Sequence, residues 1–175
     1  RGYLSRDPLW GLLRMARKLT QAGKRYWLMK SEPNAYSIDD LQKEKTACWD
    51  GVRNYQARNF MRDDMKVGDL VLYYHSNSKP SGVVGIAKVC REAYPDHTAF
   101  DPKDPHYDPK SKREDPAWMM VDLEFVKKFP ELVTLDTLKK TSALKEMLVI
   151  KRGQRLSVQP VDREHFDVVR KLGQK

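Results

Sequence analysis

The 175-residue chain reads as an α+β domain: a small, mixed, barrel-like sheet of about five or six strands, with short helices packed at its rim. Three observations predict this. Short apolar or alternating runs recur along the chain, bounded by Gly, Pro, Ser and Asp turn signals. The helical patterns between them are brief and irregularly placed, unlike the steady strand–helix alternation of a doubly wound parallel sheet. The composition, 40% hydrophobic and 33% charged, is that of an ordinary globular chain, long enough to bury a core without disulfide staples.

Taken in order, residues 1–25 read as a basic extension. Leu9, Leu12, Leu13, Met15 and Ala16 recur at helical spacing, with Arg14, Arg17 and Lys18 between them. A docked amphipathic helix, a targeting-like leader and an upstream extension of little consequence all fit it. The domain proper is expected over 26–175. YWLMK is a buried strand, ended by Ser31-Glu32-Pro33. YSIDDLQKE starts a short helix, with Ser37 as N-cap and Asp39 and Asp40 in its first turn. WDGVRNYQARNFMRDDM opens on a turn at Trp49-Asp50-Gly51 and runs into a short helical segment. Val67-Gly68-Asp69 turns into the strand LVLYYHS. GVVGIAKVCREA is the next strand, where Gly82 and Gly85 mark a tight turn or a bulge approached by another backbone. Residues 96–116 carry prolines at 102, 105, 109 and 116 and form a long loop. WMMVDLEFVKKF alternates as a strand with one wet face, and TLDTLKKTSALKEM gives one or two short helices. RLSVQPV is a last strand, and DREHFDVVRKLG a closing helix between Asp162 as N-cap and Gly173 as stop.

The formal charge of +9 is concentrated at the front. Residues 1–25 hold seven Lys or Arg against a single acid, Asp7, while the rest is nearly balanced, 26 basic against 23 acidic. A phosphate-binding role for the domain therefore needs a local site and not a global field. No apolar run approaches the roughly 18 residues of a membrane span. Two cysteines, Cys48 and Cys90, have neither metal-site spacing nor the density of a secreted scaffold, which points to a reducing, intracellular setting.

Several chemistries are excluded or weakened. Phosphate-loop and dinucleotide glycine spacings are absent, as is Gly-x-Ser-x-Gly. Cys48 could serve as a nucleophile with His75 as base, but a Cys beside Trp is more often buried and inert. Asp101, Asp104, His106 and Asp108 have the composition of a metal site, yet the intervening prolines favour a solvated loop; no metal or cofactor is expected. Asp101 alone could point into a neighbouring cleft. Trp49 and Trp118 stand at element ends, where a flat aromatic beside amides and hydroxyls can hold a planar heterocycle. Asn54 and Arg58, at i and i+4, could share a helix face and read a polar ring edge or grip a phosphate. Capping and stapling this turn to the sheet remains equally open.

YWLMKSEPNAYSIDDL, WDGVRNYQARNFMRDDMKVGDLVLYYHSN, GVVGIAKVCREAYPDHTAFD, AWMMVDLEFVKKF and RLSVQPVDREHF together resemble the EVE domain, in unbroken order over Tyr26 to Leu172. The resemblance implies a PUA-like fold related to YTH and ASCH domains. It implies a non-catalytic module that binds a modified nucleobase in an aromatic and amide-lined pocket, with modified cytosine in DNA, such as 5-methylcytosine, favoured over RNA. By similarity the pocket draws on Lys30, Ser31, Trp49, Asn54, Tyr55, His75 and Ser76, with Asp101 and Trp118 as further members. Arg53 and Arg58, together with Lys30, would meet phosphate. It places the protein in the cytoplasm of a bacterium or the nucleus of a eukaryote. The alternatives are an RNA-binding adaptor using the same pocket, or a hydrolase or glycosylase on modified nucleosides in which Asp101 and His75 would act. Nothing in the sequence assigns an oligomeric state.

A reader of this kind meets physical limits. Extruding a base from a duplex costs a few kcal/mol. Burying one methyl returns only about 0.8 kcal/mol. Methyl discrimination should therefore be modest. A polar modification can be read more sharply, where its absence would leave a buried partner unpaired.

Overall fold

The computed structural model describes residues 23–175, so all but the last three residues of the basic extension lie outside the described residues. Six strands and four α-helices follow: β1 (Tyr26–Ser31), α1 (Ile38–Glu44), β2 (Thr46–Trp49), α2 (Tyr55–Asn59), β3 (Leu70–His75), β4 (Gly82–Pro95), β5 (Met119–Thr134), α3 (Leu135–Lys140), β6 (Val158–Val161) and α4 (Arg163–Leu172). A π-helical turn, Phe60–Asp64, continues α2, and a 3₁₀ turn, His97–Phe100, opens the long loop.

The strands form one mixed sheet in the order β2-β5-β4-β3-β1-β6, whose ladder ends on β2 and β6. β1 runs parallel to β3; every other pairing is antiparallel. The expected glycine signals have a concrete cause. A Cβ at Gly82 would lie 2.2 Å from the Val133 carbonyl oxygen, and one at Gly85 2.3 Å from that of Lys127. The β4–β5 register shifts between Val83 and Gly85, and the residues bulged out of β5 there include Pro130, which has no N–H to give to a ladder. Ser37 caps α1 in a reciprocal box with Asp40. Asp162 occupies the N-cap position of α4 without a capping side-chain bond. Gly173 ends that helix in right-handed geometry, and is small because a Cβ would lie 2.2 Å from the Phe129 ring.

Strand alternation divides the core in two. One face gathers Trp27, Met29, Val71, Tyr73, Ala87, Val89, Val121 and Leu123 against α1, α2 and the π-turn. The other gathers Leu28, Leu72, Tyr74, Ile86 and Phe129 against α3, α4 and two 3₁₀ turns between them, Ser142–Leu144 and Leu148–Ile150. The first face carries the cleft.

Candidate functional site

A cleft of about 650 Å³ opens where β1 ends, between the β1–α1 connection, β2 and the turn that follows β2. Lys30, Ser31, Ala35, Tyr36, Glu44 and Ala47 line it. So do Cys48, Trp49, Asp50, Gly51, Val52 and Arg53, together with His106 from the long loop and Ser157 from the segment before β6.

Trp49 ends β2, paired with Val121 of β5, and is only 8% exposed. Its ring meets Tyr73 edge-on, centroids 5.3 Å apart at 85°. It is therefore both a wall of the cleft and a member of the first core. The Tyr36 carbonyl accepts from the Ser31 hydroxyl (2.7 Å) and from the Tyr73 hydroxyl (2.9 Å), which fixes the β1–α1 connection over the sheet. The Tyr36 hydroxyl in turn donates to Glu44 Oε2 (2.8 Å). Burial and then the Glu44 carboxylate raise the Tyr36 phenol above its ordinary range, and burial does the same for Tyr73. Cys48 is exposed, not buried as a Cys beside Trp suggests, because it lies on the edge strand β2. Partial desolvation, reinforced by Asp50, still pushes its thiol up, which argues against an activated thiolate.

The turn is latched to the long loop by a buried carboxylate. Asp96, 0% exposed, accepts from Gly51 N–H (2.9 Å), Arg53 Nη1 (2.7 Å), Thr98 N–H (2.9 Å) and the Thr98 hydroxyl (2.6 Å). Burial alone would raise its pKa; the Arg53 and Thr98 bonds with the backbone N–H groups outweigh it and hold the carboxyl below the usual range. Gly51 has φ +73°, and a Cβ there would lie 2.9 Å from the His106 ring. Only glycine allows both that backbone and that covering imidazole.

The amides and guanidinium groups of the opening turn act as fasteners. Asn54 has extended φ/ψ and its Oδ1 accepts from Ala57 N–H (3.0 Å), so it caps α2 and does not share a helix face with Arg58. Arg53 spends every guanidinium nitrogen on the protein, reaching His106 O and Thr98 Oγ1 besides Asp96 and Val52 O. Arg58 donates to Asn59 Oδ1 (2.8 Å) and to the Ala117 carbonyl.

Of the residues singled out by sequence, Lys30, Ser31, Trp49 and Arg53 meet at the cleft, as do Cys48 and His106, which the sequence puts forward for other chemistry. The Lys30 ammonium, however, lies 5.9 Å over the ring of Tyr74, a residue of the second core, and burial lowers its pKa. His75 sits beside the site: its Nε2 accepts from Ile38 N–H (3.2 Å) at the start of α1, and burial lowers its pKa, favouring the neutral ring that this bond requires. Ser76 donates its N–H to Ser31 O (3.0 Å), extending the β1–β3 ladder. Asp101 is exposed and accepts from Lys103 N–H (2.9 Å). Tyr55 and Trp118 stack on each other outside the cleft lining, centroids 4.7 Å apart. Trp118 Nε1 donates to Asp108 (2.7 Å). Among the described residues no three His, Cys, Asp or Glu side chains are placed to hold a metal ion, and no helix is long and apolar enough to cross a membrane. Sequence reasoning did not reach Tyr36, Glu44, Asp50 or Asp96 as site residues.

Comparison with known proteins agrees with this architecture. The EVE domain family matches residues 25–172. Mouse (Mus musculus) thymocyte nuclear protein 1 is 49% identical over 166 residues, spanning 84% of this chain and 73% of that protein. A hypothetical protein from Leishmania major has 48% identity and a TM-score of 0.83, covering 86% of this chain and 95% of that one. The structure of human THYN1 protein in complex with 5-methylcytosine containing DNA has 46% identity and a TM-score of 0.80, covering 87% of this chain and 99% of that one.

Proposed function

The chain belongs to the EVE domain family, and we propose that it is a non-catalytic binder of a modified nucleobase, with modified cytosine in DNA as its ligand. The observation that carries this reading is its likeness, over nearly the whole domain, to the human protein whose structure contains 5-methylcytosine DNA. The chemistry of the cleft supports it. Lys30 turns its ammonium to the Tyr74 ring, and Arg53 is neutralised by Asp96, which leaves Glu44 and Asp50 as the carboxylates facing the cleft. Carboxylates repel a phosphate but accept well from the exocyclic amino group of cytosine. The cleft is thus suited to the base, with the sugar–phosphate chain held at its rim.

On this reading the base is extruded from the duplex and enters beside Trp49. A carboxylate takes its amino hydrogens, and the Ser31 and Tyr36 segment borders its remaining edge. The sheet behind the cleft is read as the wall of a PUA-like barrel. The raised Cys48 thiol supports binding without covalent chemistry.

The test is a titration of one short duplex carrying cytosine, 5-methylcytosine or 5-hydroxymethylcytosine at a single position, followed by tryptophan fluorescence at two salt concentrations. Binding that ranks the three bases and quenches emission is expected, with the quench reduced in Trp49→Phe. Equal affinity for all three would sink the proposal.

A further inference from the structure

Beside the cleft lies an aromatic surface that the base-binding reading leaves unused. Tyr55 is 59% exposed, the most open aromatic side chain among the large hydrophobics of the described residues. It is not loosely displayed. Its ring stacks on Trp118 at 4.7 Å and 27°, and Trp118 is 6% exposed and pinned through Nε1 to Asp108. The Arg58 guanidinium lies 5.0 Å from the Tyr55 centroid, and that of Arg53 5.4 Å from the Trp118 centroid. Both arginines are themselves anchored, Arg58 to Asn59 and Ala117, Arg53 to Asp96, Thr98 and His106. The result is a rigid stack of planar groups, flanked by cations, in which Tyr55 stays largely exposed.

Leaving a tyrosine so exposed forgoes burial of a large apolar surface. Its rigid support, by contrast, removes the entropy that stacking a partner on it would otherwise cost. Planar aromatic rings next to guanidinium groups are a surface on which nucleobases stack. Arg53 is neutralised by Asp96, so Arg58 is the cation left to face an attached phosphate. The stack also adjoins the cleft. Arg53 lines the cleft and touches the stack through Trp118, and Tyr55 follows Arg53 by two positions, a span of about 7 Å at most. A nucleotide joined to one whose base is in the cleft is within reach.

We propose that Tyr55, backed by Trp118 and flanked by Arg58, is a second nucleotide subsite, which stacks the base adjacent to the one held in the cleft. The inference rests on the base-binding reading above. It assigns the two aromatics separate tasks from Trp49: the cleft selects the modified base, and the stack holds its neighbour without regard to sequence.

The test uses the full chain and short duplexes with 5-methylcytosine or cytosine at one position. The neighbouring position on the same strand carries a normal base, an abasic site or 2-aminopurine. With wild type, removing the one neighbour that stacks should weaken binding roughly 5- to 150-fold. Tyr55→Ala should weaken binding to the intact duplex by a similar factor and be indifferent to the abasic site. Tyr55→Phe should behave as wild type. 2-Aminopurine at that neighbour should be quenched on binding by wild type and Tyr55→Phe but not by Tyr55→Ala. If Tyr55→Ala weakens intact and abasic duplexes equally, or if neither neighbour is quenched, the subsite is overturned while any preference for 5-methylcytosine stands. If the neighbour effects appear without preference for the modified base, the subsite stands and the cleft reading falls. No binding to any of these duplexes would overturn both.

Discussion

On the α3–α4 side of the sheet, Leu28, Leu72, Val83, Ile86, Phe129 and Val133 meet Leu138, Leu144, Phe166 and Val169, a core made almost wholly of hydrocarbon. On the cleft side the buried aromatics are held by directional contacts: Trp27 Nε1 donates to Asp69 Oδ2 (2.9 Å), the Tyr73 hydroxyl to Tyr36 O, and Trp49 meets Tyr73 edge-on. Two buried carboxylates, Asp69 and Asp96, organise the connections on that side, Asp69 accepting from the backbone N–H groups of Arg25 and Lys66 as well as from Trp27. The hydrocarbon side is held by area and tolerates imprecision. The cleft side is held by directional bonds that fix where loops lie, at the cost of being intolerant to loss of any one partner. Precision is needed only where a site must be shaped.

Removing the central group of each side gives the largest contrast. Asp96→Asn leaves Arg53 without its buried counter-charge and should destabilise by about 3–5 kcal/mol. Phe166→Ala should cost a similar 3–5 kcal/mol by opening a cavity. Denaturant titrations should thus give comparable losses for the two variants. Ligand titrations at a temperature where both remain folded should separate them, with affinity reduced in Asp96→Asn and kept in Phe166→Ala. Equal affinities would mean that the latch does not shape the cleft. A smaller effect is expected from Gly51→Ala, which forces a left-handed backbone on alanine and displaces His106, at about 1–3 kcal/mol. Its melting temperature should fall accordingly, with a disproportionate loss of binding. The smallest effect concerns pH. His75 has a lowered pKa when folded, so the unfolded chain takes up its proton first and stability rises with pH. This contribution is present above the ordinary imidazole value of about 6.5 and is lost as pH falls through the lower folded value. The melting temperature should decline from pH 7.5 to 5, and His75→Gln should flatten that slope.

Much of the fold is legible in the sequence because its signals are local. Ser37 with Asp40, the alternation in β5, and Gly82 and Gly85 at the bulged pairing each reveal their role within a few residues. β2 is not legible: TACW is four residues long, lies at the sheet edge and shows no strong alternation. The family and the clustering of Lys30, Ser31 and Trp49 are legible through motif resemblance. What the polar side chains do there is not. Asn54 looks like a helical residue, but its φ of −124° makes it the cap, and so the i, i+4 argument with Arg58 has no helix to act on. Asp96 shows only a local turn with Thr98; its role in the latch gives no signal because the partners that make it, Gly51 and Arg53, lie more than 40 residues away. A fastening arginine and a ligand-gripping arginine look alike until the carboxylate facing one of them is seen.

The cleft draws its walls from segments around residues 31, 36, 44–53, 106 and 157, which no contiguous piece of the chain contains. Occupancy therefore reports on the whole fold and not on a local element. A ligand that binds this cleft acts as a thermodynamic brace for the entire domain, adding about 2.7 kcal/mol at a hundredfold excess over its Kd. A thermal-shift screen of nucleosides and short oligonucleotides could then rank ligands without a label, an enzymatic readout or any assumption about which modification the base carries.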